Sequence, residues 1–82
     1  MYYEVANFEN DLKVFYLKIG KNVKKARMSK NLTQEELAQM LNFSSTSTIS
    51  NREICYNNSH FSLSQLYKIS LVLNIDIETL LK

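Results

Sequence analysis

The chain of 82 residues has no proline, no tryptophan, one glycine and one cysteine. A single cysteine excludes an intramolecular disulfide, which is typical of proteins in a reducing cytosol. The N-terminal segment carries acidic residues where a secretory signal is basic, and no apolar run approaches the length of a membrane span. The sequence therefore predicts a cytoplasmic protein without a disulfide or a membrane-spanning segment.

The remaining composition is that of a small folded protein. Hydrophobic residues make up 45% of the chain and charged residues 22%, which is ordinary for a globular domain and excludes a disordered or fibrous protein. At this length we expect a single domain, residues 1–82, with a thin core.

Apolar residues recur at steps of three and four through the first third of the chain. This spacing predicts one long amphipathic helix from about residue 5 to Met28. Its apolar stripe consists of Val5, Phe8, Leu12, Phe15, Ile19, Val23 and Ala26. Residues 1–12 are expected to extend this helix at its N-terminus, with Phe8 and Leu12 packing on the body of the protein or on a dimer mate.

Polar residues mark the predicted helix boundaries. Two capping boxes, each a Ser or Thr followed three residues later by Glu or Gln, open further helices; they are Thr33 with Glu36 and Ser62 with Gln65. Asp76 is expected to cap a last short helix. Three asparagines follow periodic segments and are expected to end helices in the left-handed conformation that glycine usually provides; they are Asn31, Asn42 and Asn74. No stretch alternates as a strand does, so the predicted fold is all-α.

Two short predicted helices, "TQEELAQML" and "TSTISNREI", flank the turn "NFSS". A short helix, a tight turn and a second helix predict a helix-turn-helix over residues 33–54, whose second helix enters the DNA major groove. Ser45 is expected to cap that helix. Short hydroxyls and backbone N–H groups that can bind phosphates and base edges come from Thr46, Ser47 and Thr48. The side-chain amide of Asn51 can both donate to and accept from a base.

The first helix is basic. No acid occurs between Asp11 and Glu35, and the cations in this interval are Lys13, Lys18, Lys21, Lys24, Lys25, Arg27 and Lys30. Such a face favours nucleic-acid binding, and it is equally typical of a helix flank that only keeps a surface soluble. Lys24 is predicted to contact the DNA backbone.

The sequence resembles the lambda-repressor-like, or Cro and XRE-type, helix-turn-helix regulators over residues 19–81. The resemblance is carried by "IGKNVKKARMSKNLTQEELAQML", "TIS..E" and "FSLSQLYKISLVLNIDIETLL". It implies a five-helix lambda-repressor-like DNA-binding domain, here with an extended first helix. It also implies a homodimer on double-stranded DNA with two-fold related half-sites, without enzymatic activity, cofactor, small-molecule ligand or membrane contact.

The resemblance also implies roles for single residues. Gln34 matches a glutamine that contacts phosphate and braces the recognition helix, and Arg27 and Glu53 resemble a pair that joins the first helix to the end of the third. The base-reading positions are Thr46, Ser47 and Asn51. The predicted DNA-backbone contacts are Gln34, Ser45, Thr48, Arg52, Lys24 and Asn57, and the predicted dimer contacts are Ile75, Ile77 and Leu80.

The chain departs from the family pattern around the recognition helix. It is one residue longer between Ala38 and Ile49, which shifts the register of the base-reading positions. Arg52 stands where an apolar residue is usual, and it is expected to reach a phosphate instead of the core. Cys55 replaces a common glycine. The connection "ICYNNSH" is about two residues longer than usual, which is expected to bring Tyr56, Asn57 and Asn58 toward the DNA backbone.

Several alternatives remain open at the level of sequence. Within the DNA-binding class the chain is similar to restriction-modification controller proteins, small phage repressors and Cro-like proteins, and an antitoxin is also compatible. A protein-interaction module of the same fold with weak or no DNA binding is favoured by hydroxyls where Gln or Arg reads bases. An amphipathic membrane-surface helix over residues 5–28 is disfavoured because its apolar face is needed for the core.

Cys55 and His60 invite a metal-site or nucleophile interpretation, but two ligands fall short of a tetrahedral site and no catalytic triad partner is present. A redox-sensing role of Cys55 is a further hypothesis. The four phenylalanines are expected in the core and not on a stacking platform for single strands. They are Phe8, Phe15, Phe43 and Phe61.

Overall fold

The computed structural model describes residues 3–82 and contains five α-helices. They are α1 (Phe8–Ser29), α2 (Gln34–Met40), α3 (Ser47–Glu53), α4 (Leu63–Leu73) and α5 (Glu78–Leu81), with short 3₁₀ helices at Val5–Asn7 and Tyr56–Asn58. Residues 3–82 contain no strand, and the predicted all-α fold with a long first helix is confirmed. Within that range, no helix combines the length and the apolar character that crossing a membrane requires.

All five helices contribute to one hydrophobic core. The buried apolar residues are Ile19, Val23, Ala26, Leu37, Ala38, Leu41, Ile49, Phe61, Leu66, Ile69, Leu73 and Leu80. Helix α1 contacts α3, α4 and α5, while α2 packs on α3. The basic first helix is therefore the platform that positions the helix-turn-helix.

Helix α1 is buried only in its second half. Its predicted apolar stripe enters the core at Ile19, and the prediction that Phe8 and Phe15 lie in the core is wrong, because both are exposed. A helix of 22 residues is about 33 Å long, and the shorter helices packed on it cover only part of that length. Leu12 is half-buried. The first two residues of the predicted 1–12 extension lie outside the described residues.

Three helices end in the same hydrogen-bonded motif, with asparagine in the left-handed conformation. Asn31, Asn42 and Asn74 have φ of 59°, 61° and 55°. After α2, the Phe43 N–H donates to the Ala38 carbonyl and the Asn42 N–H to the Gln39 carbonyl, which is a Schellman motif. The same pattern follows α1 and α4. The three predicted asparagine terminations are confirmed, and they explain how the helices end without glycine.

The helix starts agree with the sequence at two places and differ at a third. Both capping boxes form, with the Thr33 and Ser62 hydroxyls accepting from the backbone N–H groups of Glu36 and Gln65. The predicted cap by the Asp76 side chain is wrong. Helix α5 begins one residue later than that cap requires, and Asp76 contributes only its backbone carbonyl, which accepts from the Thr79 N–H at 3.0 Å.

Candidate nucleic-acid interface

Helices α2 and α3 form the predicted helix-turn-helix. Leu37 of α2, Leu41 in the turn and Ile49 of α3 are almost completely buried in the core. These contacts fix the angle between the two helices, because each side chain packs in a single position among its neighbours. Phe43 in the turn is half-buried against the same core. One side of the recognition helix α3 therefore packs on the hydrophobic core, and the opposite side faces solvent.

The Ser/Thr run forms the turn that precedes α3 and the first turn of α3. The Ser45 hydroxyl accepts from the Ser47 N–H at 3.2 Å and shares a 2.7 Å hydrogen bond with the Ser47 hydroxyl. The predicted cap of α3 by Ser45 is corrected, because the N-cap is Thr46, whose side chain makes no capping hydrogen bond, and Ser45 bonds instead to Ser47, the first residue of the helix. Ser45, Thr46 and Ser47 are all exposed, and Thr48 is half-buried.

One side of α3 is buried and the other is polar and accessible. Ile49 and Glu53, one helical turn apart, face the core. Ser47 and Asn51 are also one turn apart and lie about half a turn around the helix from the buried pair. The structure therefore places two predicted base-reading residues, Ser47 and Asn51, together on the outward side of α3.

Two further residues on this outward side were not predicted. Ser50 is half-buried and lies beside Ser47, and its hydroxyl donates to the Ser47 carbonyl at 3.3 Å. Ile54 directly follows α3 and is 62% exposed. Residues three and seven positions after Ser47 lie on the same side of a helix as Ser47. This spacing is the feature of the sequence that could have identified Ser50 and Ile54. An apolar Ile54 side chain suits a thymine methyl group.

A buried network anchors the end of α3. The Arg27 Nε and Nη2 atoms donate to the two carboxylate oxygens of Glu53 at 2.8 and 3.1 Å, and Arg27 Nη1 donates to the Leu32 carbonyl at 2.7 Å. Gln34 Nε2 donates to the same Glu53 carboxylate at 3.0 Å. Glu53 is thereby joined to both α1 and α2. The bracing part of the role that the family resemblance implied for Gln34 has a direct structural counterpart in this hydrogen bond.

Arg52 joins α3 to the connection that follows it. Its Nε donates to the His60 carbonyl at 3.2 Å and its Nη1 to the Thr48 carbonyl at 3.4 Å. His60 stacks on Tyr16 of α1, with ring centroids 3.8 Å apart and planes 5° from parallel. In this conformation Arg52 is held by protein carbonyls, and its contact with a phosphate stays a prediction.

The connection after α3 has an unusual backbone. Cys55, Asn57 and Asn58 all have positive φ, and the sequence patterns did not predict this. The family's common glycine is thus replaced by a cysteine that takes the conformation suited to glycine. Asn57 and Asn58 are exposed beside the end of α3. The Asn57 side chain is therefore accessible to a DNA backbone, and its contact with DNA stays a prediction.

Lys24 lies beside the recognition helix. Gly20 and Arg27 are α1 residues that lie against the end of α3, and Lys24 is within about one helical turn of each along the same helix. Lys24 is exposed. Lys24 is thus an exposed cation on the part of α1 that packs on the C-terminal end of α3, and its contact with the DNA backbone stays a prediction.

The three predicted dimer residues differ in how deeply they are buried. Leu80 is 0% exposed, and the Asn22 side chain donates to its carbonyl at 3.0 Å. The expectation of a dimer contact through the Leu80 side chain is thereby corrected, because that side chain is used to pack α5 on the core. Ile75 and Ile77 are partly buried against the same core, and their role stays a prediction.

Cys55 and His60 line a shallow cleft of about 310 Å³ between α1 and the connection. Burial raises the pKa of the Cys55 thiol, which disfavours the reactive thiolate. Within residues 3–82, no group of three or more His, Cys, Asp or Glu side chains is arranged to hold a metal ion.

A family model described as helix-turn-helix, of the Cro/XRE type, matches residues 23–80. The match covers more than half of the chain, so the protein belongs to this helix-turn-helix family, and the predicted lambda-repressor-like resemblance is confirmed. The family is one of DNA-binding regulators and not of enzymes. No curated protein and no solved structure matches the chain.

Proposed function

We propose that the protein is a sequence-specific transcriptional regulator that binds double-stranded DNA as a homodimer at two-fold related half-sites. The observation that carries the proposal is the outward side of α3, where exposed hydroxyls and an amide stand on a helix whose far end is fixed by the buried Glu53 network. Base reading requires such a fixed helix, because small displacements of its side chains break hydrogen bonds to base edges.

The roles divide along the interface. Thr46, Ser47 and Asn51 read base edges, and Ser50 and Ile54 extend the same side of the helix. The contacts that position the protein on phosphates without reading sequence come from Gln34, Ser45, Thr48, Arg52, Lys24 and Asn57. Within this class, the proposed role is that of a restriction-modification controller protein or a small phage-type repressor, both of which the sequence resembles.

The second candidate is a protein-interaction module or an antitoxin of the same fold that has little DNA binding of its own. It is favoured by two features of the α3 surface: its short hydroxyl side chains, which reach less far than Gln or Arg, and the exposed apolar side chain of Ile54.

Selection of bound sites from a random duplex library tests the proposal. We expect enrichment of a two-fold related sequence. On that sequence, replacing Thr46, Ser47 or Asn51 by Ala should cost roughly 1–3 kcal/mol, with a much smaller loss on random duplexes.

Ser64→Ala is the matched control, because Ser64 is an exposed polar residue of α4. Ser45 and Thr48 belong in the same scan, since the extra residue before Ile49 shifts the register. If no sequence is enriched, or if every residue from Ser45 to Thr48 and Asn51 tolerates Ala with unchanged site discrimination, the interaction-module function is favoured instead.

A further inference from the structure

The first half of α1 exposes large apolar side chains that the rest of residues 3–82 covers only in part. Phe8 is 49% exposed and Phe15 44% exposed. They are seven residues apart and therefore lie two turns apart on one side of the helix. An exposed pair of phenylalanines on a helix of a small protein costs solubility, so it is expected to have a partner.

The apolar surface continues from α1 onto α4. Phe15 and Leu63 line one shallow groove of about 210 Å³ between the two helices. Leu63, Tyr67 and Leu71 are all exposed and follow one another at intervals of about one helical turn, so the surface extends from the groove along α4. We call these five residues, Phe8, Phe15, Leu63, Tyr67 and Leu71, the α1/α4 surface.

We propose that the α1/α4 surface is the interface between two copies of this chain, with their α1 helices antiparallel about a two-fold axis near Asp11. This inference rests on the proposed function and deepens it, because it identifies the surface through which the DNA-binding homodimer forms. In this arrangement Phe8 of each copy faces Phe15 of the other, since the two residues lie at nearly equal distances on either side of Asp11.

The distribution of charge selects a second copy as the occupant. The acids of this part of the chain, Glu4, Glu9 and Asp11, all precede Leu12, and the bases that come next, Lys13, Lys18 and Lys21, all follow it. An antiparallel pair brings the acidic end of each copy to the basic part of the other, whereas a parallel pair brings like charges together. A foreign partner of one charge sign would match only one half of the helix.

The α5 region offers less surface for the same purpose. Leu80 is in the core, and Ile75 and Ile77 are partly buried against it. Large apolar side chains anchor interfaces by burying their area, so the exposed phenylalanines of α1 are better anchors than half-buried isoleucines.

Crosslinking locates the axis. In a Cys55→Ser background, Asp11→Cys places a thiol close to the proposed two-fold axis, where it meets its own counterpart, and Ile77→Cys places one at the alternative α5 interface. We expect a short bismaleimide to link the Asp11→Cys protein into a covalent dimer faster than the Ile77→Cys protein. The reverse order, or no covalent dimer from either variant, would overturn the proposed interface.

Sedimentation equilibrium tests whether Phe8 contributes to the dimer interface. Phe8→Glu should raise the dimer dissociation constant by roughly tenfold or more, as truncation of an interface anchor does. Val14→Glu is the matched control, because Val14 is an exposed apolar residue of the same half of α1 that lies about 100° around the helix from Phe15. Circular dichroism checks that both variants are folded. Equal dissociation constants for the two variants, or a wild-type protein that is monomeric throughout, would contradict the proposal.

Both measurements are made without DNA, so the two proposals can fail separately. A monomer that still enriches one sequence from the random library overturns the interface and leaves the DNA-binding function in place. A dimer held by α1 that enriches no sequence overturns the proposed function and leaves the interface in place.

Discussion

Gly20 of α1 lies directly against the backbone carbonyl groups of Arg52 and Glu53 at the end of α3. A β-carbon at this position would be 2.8 Å from the Arg52 carbonyl oxygen, which is closer than van der Waals contact allows. The obstacle is backbone, which cannot move aside as a side chain can. The single glycine of the chain is therefore explained by the close approach of two helices and not by a turn.

We expect Gly20→Ala to destabilise the protein and displace α3. Alanine gains about 1 kcal/mol of helix propensity over glycine, but overpacking against backbone costs typically 1–3 kcal/mol or more and outweighs that gain. The free energy of unfolding in urea measures the balance. Lys21→Ala, at the next and exposed position, should change stability by less than about 0.5 kcal/mol. A Gly20→Ala protein as stable as the wild type would show that α1 and α3 are not in this contact.

Arg27 and Glu53 should behave as one unit in a double-mutant cycle. Each alanine variant leaves the other charge buried without its partner, which costs about 3–5 kcal/mol. The double variant removes both charges and should cost less than the sum of the single changes. Denaturant melts of the four proteins give the coupling energy. Strict additivity would mean that the two side chains do not meet in solution.

Lys24→Ala should weaken binding to all duplexes to a similar extent, because a phosphate contact carries no sequence information. The plot of log binding constant against log salt concentration should become shallower by about one unit, the amount expected for one lost phosphate contact. Lys68→Ala, an exposed lysine of α4, is the control and should leave the slope unchanged. An unchanged slope for Lys24→Ala would remove this residue from the interface.

The capping box of α2 should make part of the stability depend on pH. Hydrogen bonds from the Thr33 backbone N–H and then from the Thr33 side-chain group lower the pKa of Glu36 below its ordinary value of 4.5. A lowered pKa means that the ionised carboxylate stabilises the folded state above about pH 4.5, and that this contribution is lost as the pH falls through the lowered pKa.

Melting temperatures of the wild type and of Glu36→Gln between pH 7 and pH 3 test this sign. The wild type should lose its advantage over Glu36→Gln in the acid range, since glutamine keeps the capping geometry without a titrating charge. A difference that stays constant across the range would mean that Glu36 is not held by Thr33.

Much of the fold could be predicted because its signals are local. Thr33 and Ser62 cap helices through groups three residues away, and Asn31, Asn42 and Asn74 end them through the conformation of a single residue. Such features depend on short-range hydrogen bonds and sterics, which a sequence pattern records directly. Asp76 shows the limit of this reasoning, since a competent capping residue is bypassed when α5 begins one residue later.

The sequence predicted most residues of the candidate site but few of the contacts between them. The sequence located α3 and its hydroxyls, and spacing alone puts Ser50 and Ile54 on the side of Ser47, but the burial of Ile49 and Glu53 is what makes that side the outward one. The family resemblance paired Arg27 with Glu53, but the hydrogen bond from Gln34 to the same carboxylate and the bonds of Arg52 to the Thr48 and His60 carbonyls were not foreseen. These contacts join residues of different elements, whose relative placement a linear pattern does not contain.

The sequence by itself determined the helices, most of their ends and the family, because periodicity, capping residues and turn residues act within a few positions of one another. Only the tertiary structure decided which apolar residues are used internally. The stripe from Val5 to Ala26 is continuous in sequence, but α3, α4 and α5 cover it only from about Ile19 onward, and Phe8 and Phe15 stay exposed. Periodicity shows that a helix has an apolar side, whereas the length of the neighbouring helices determines how much of that side the same chain can bury.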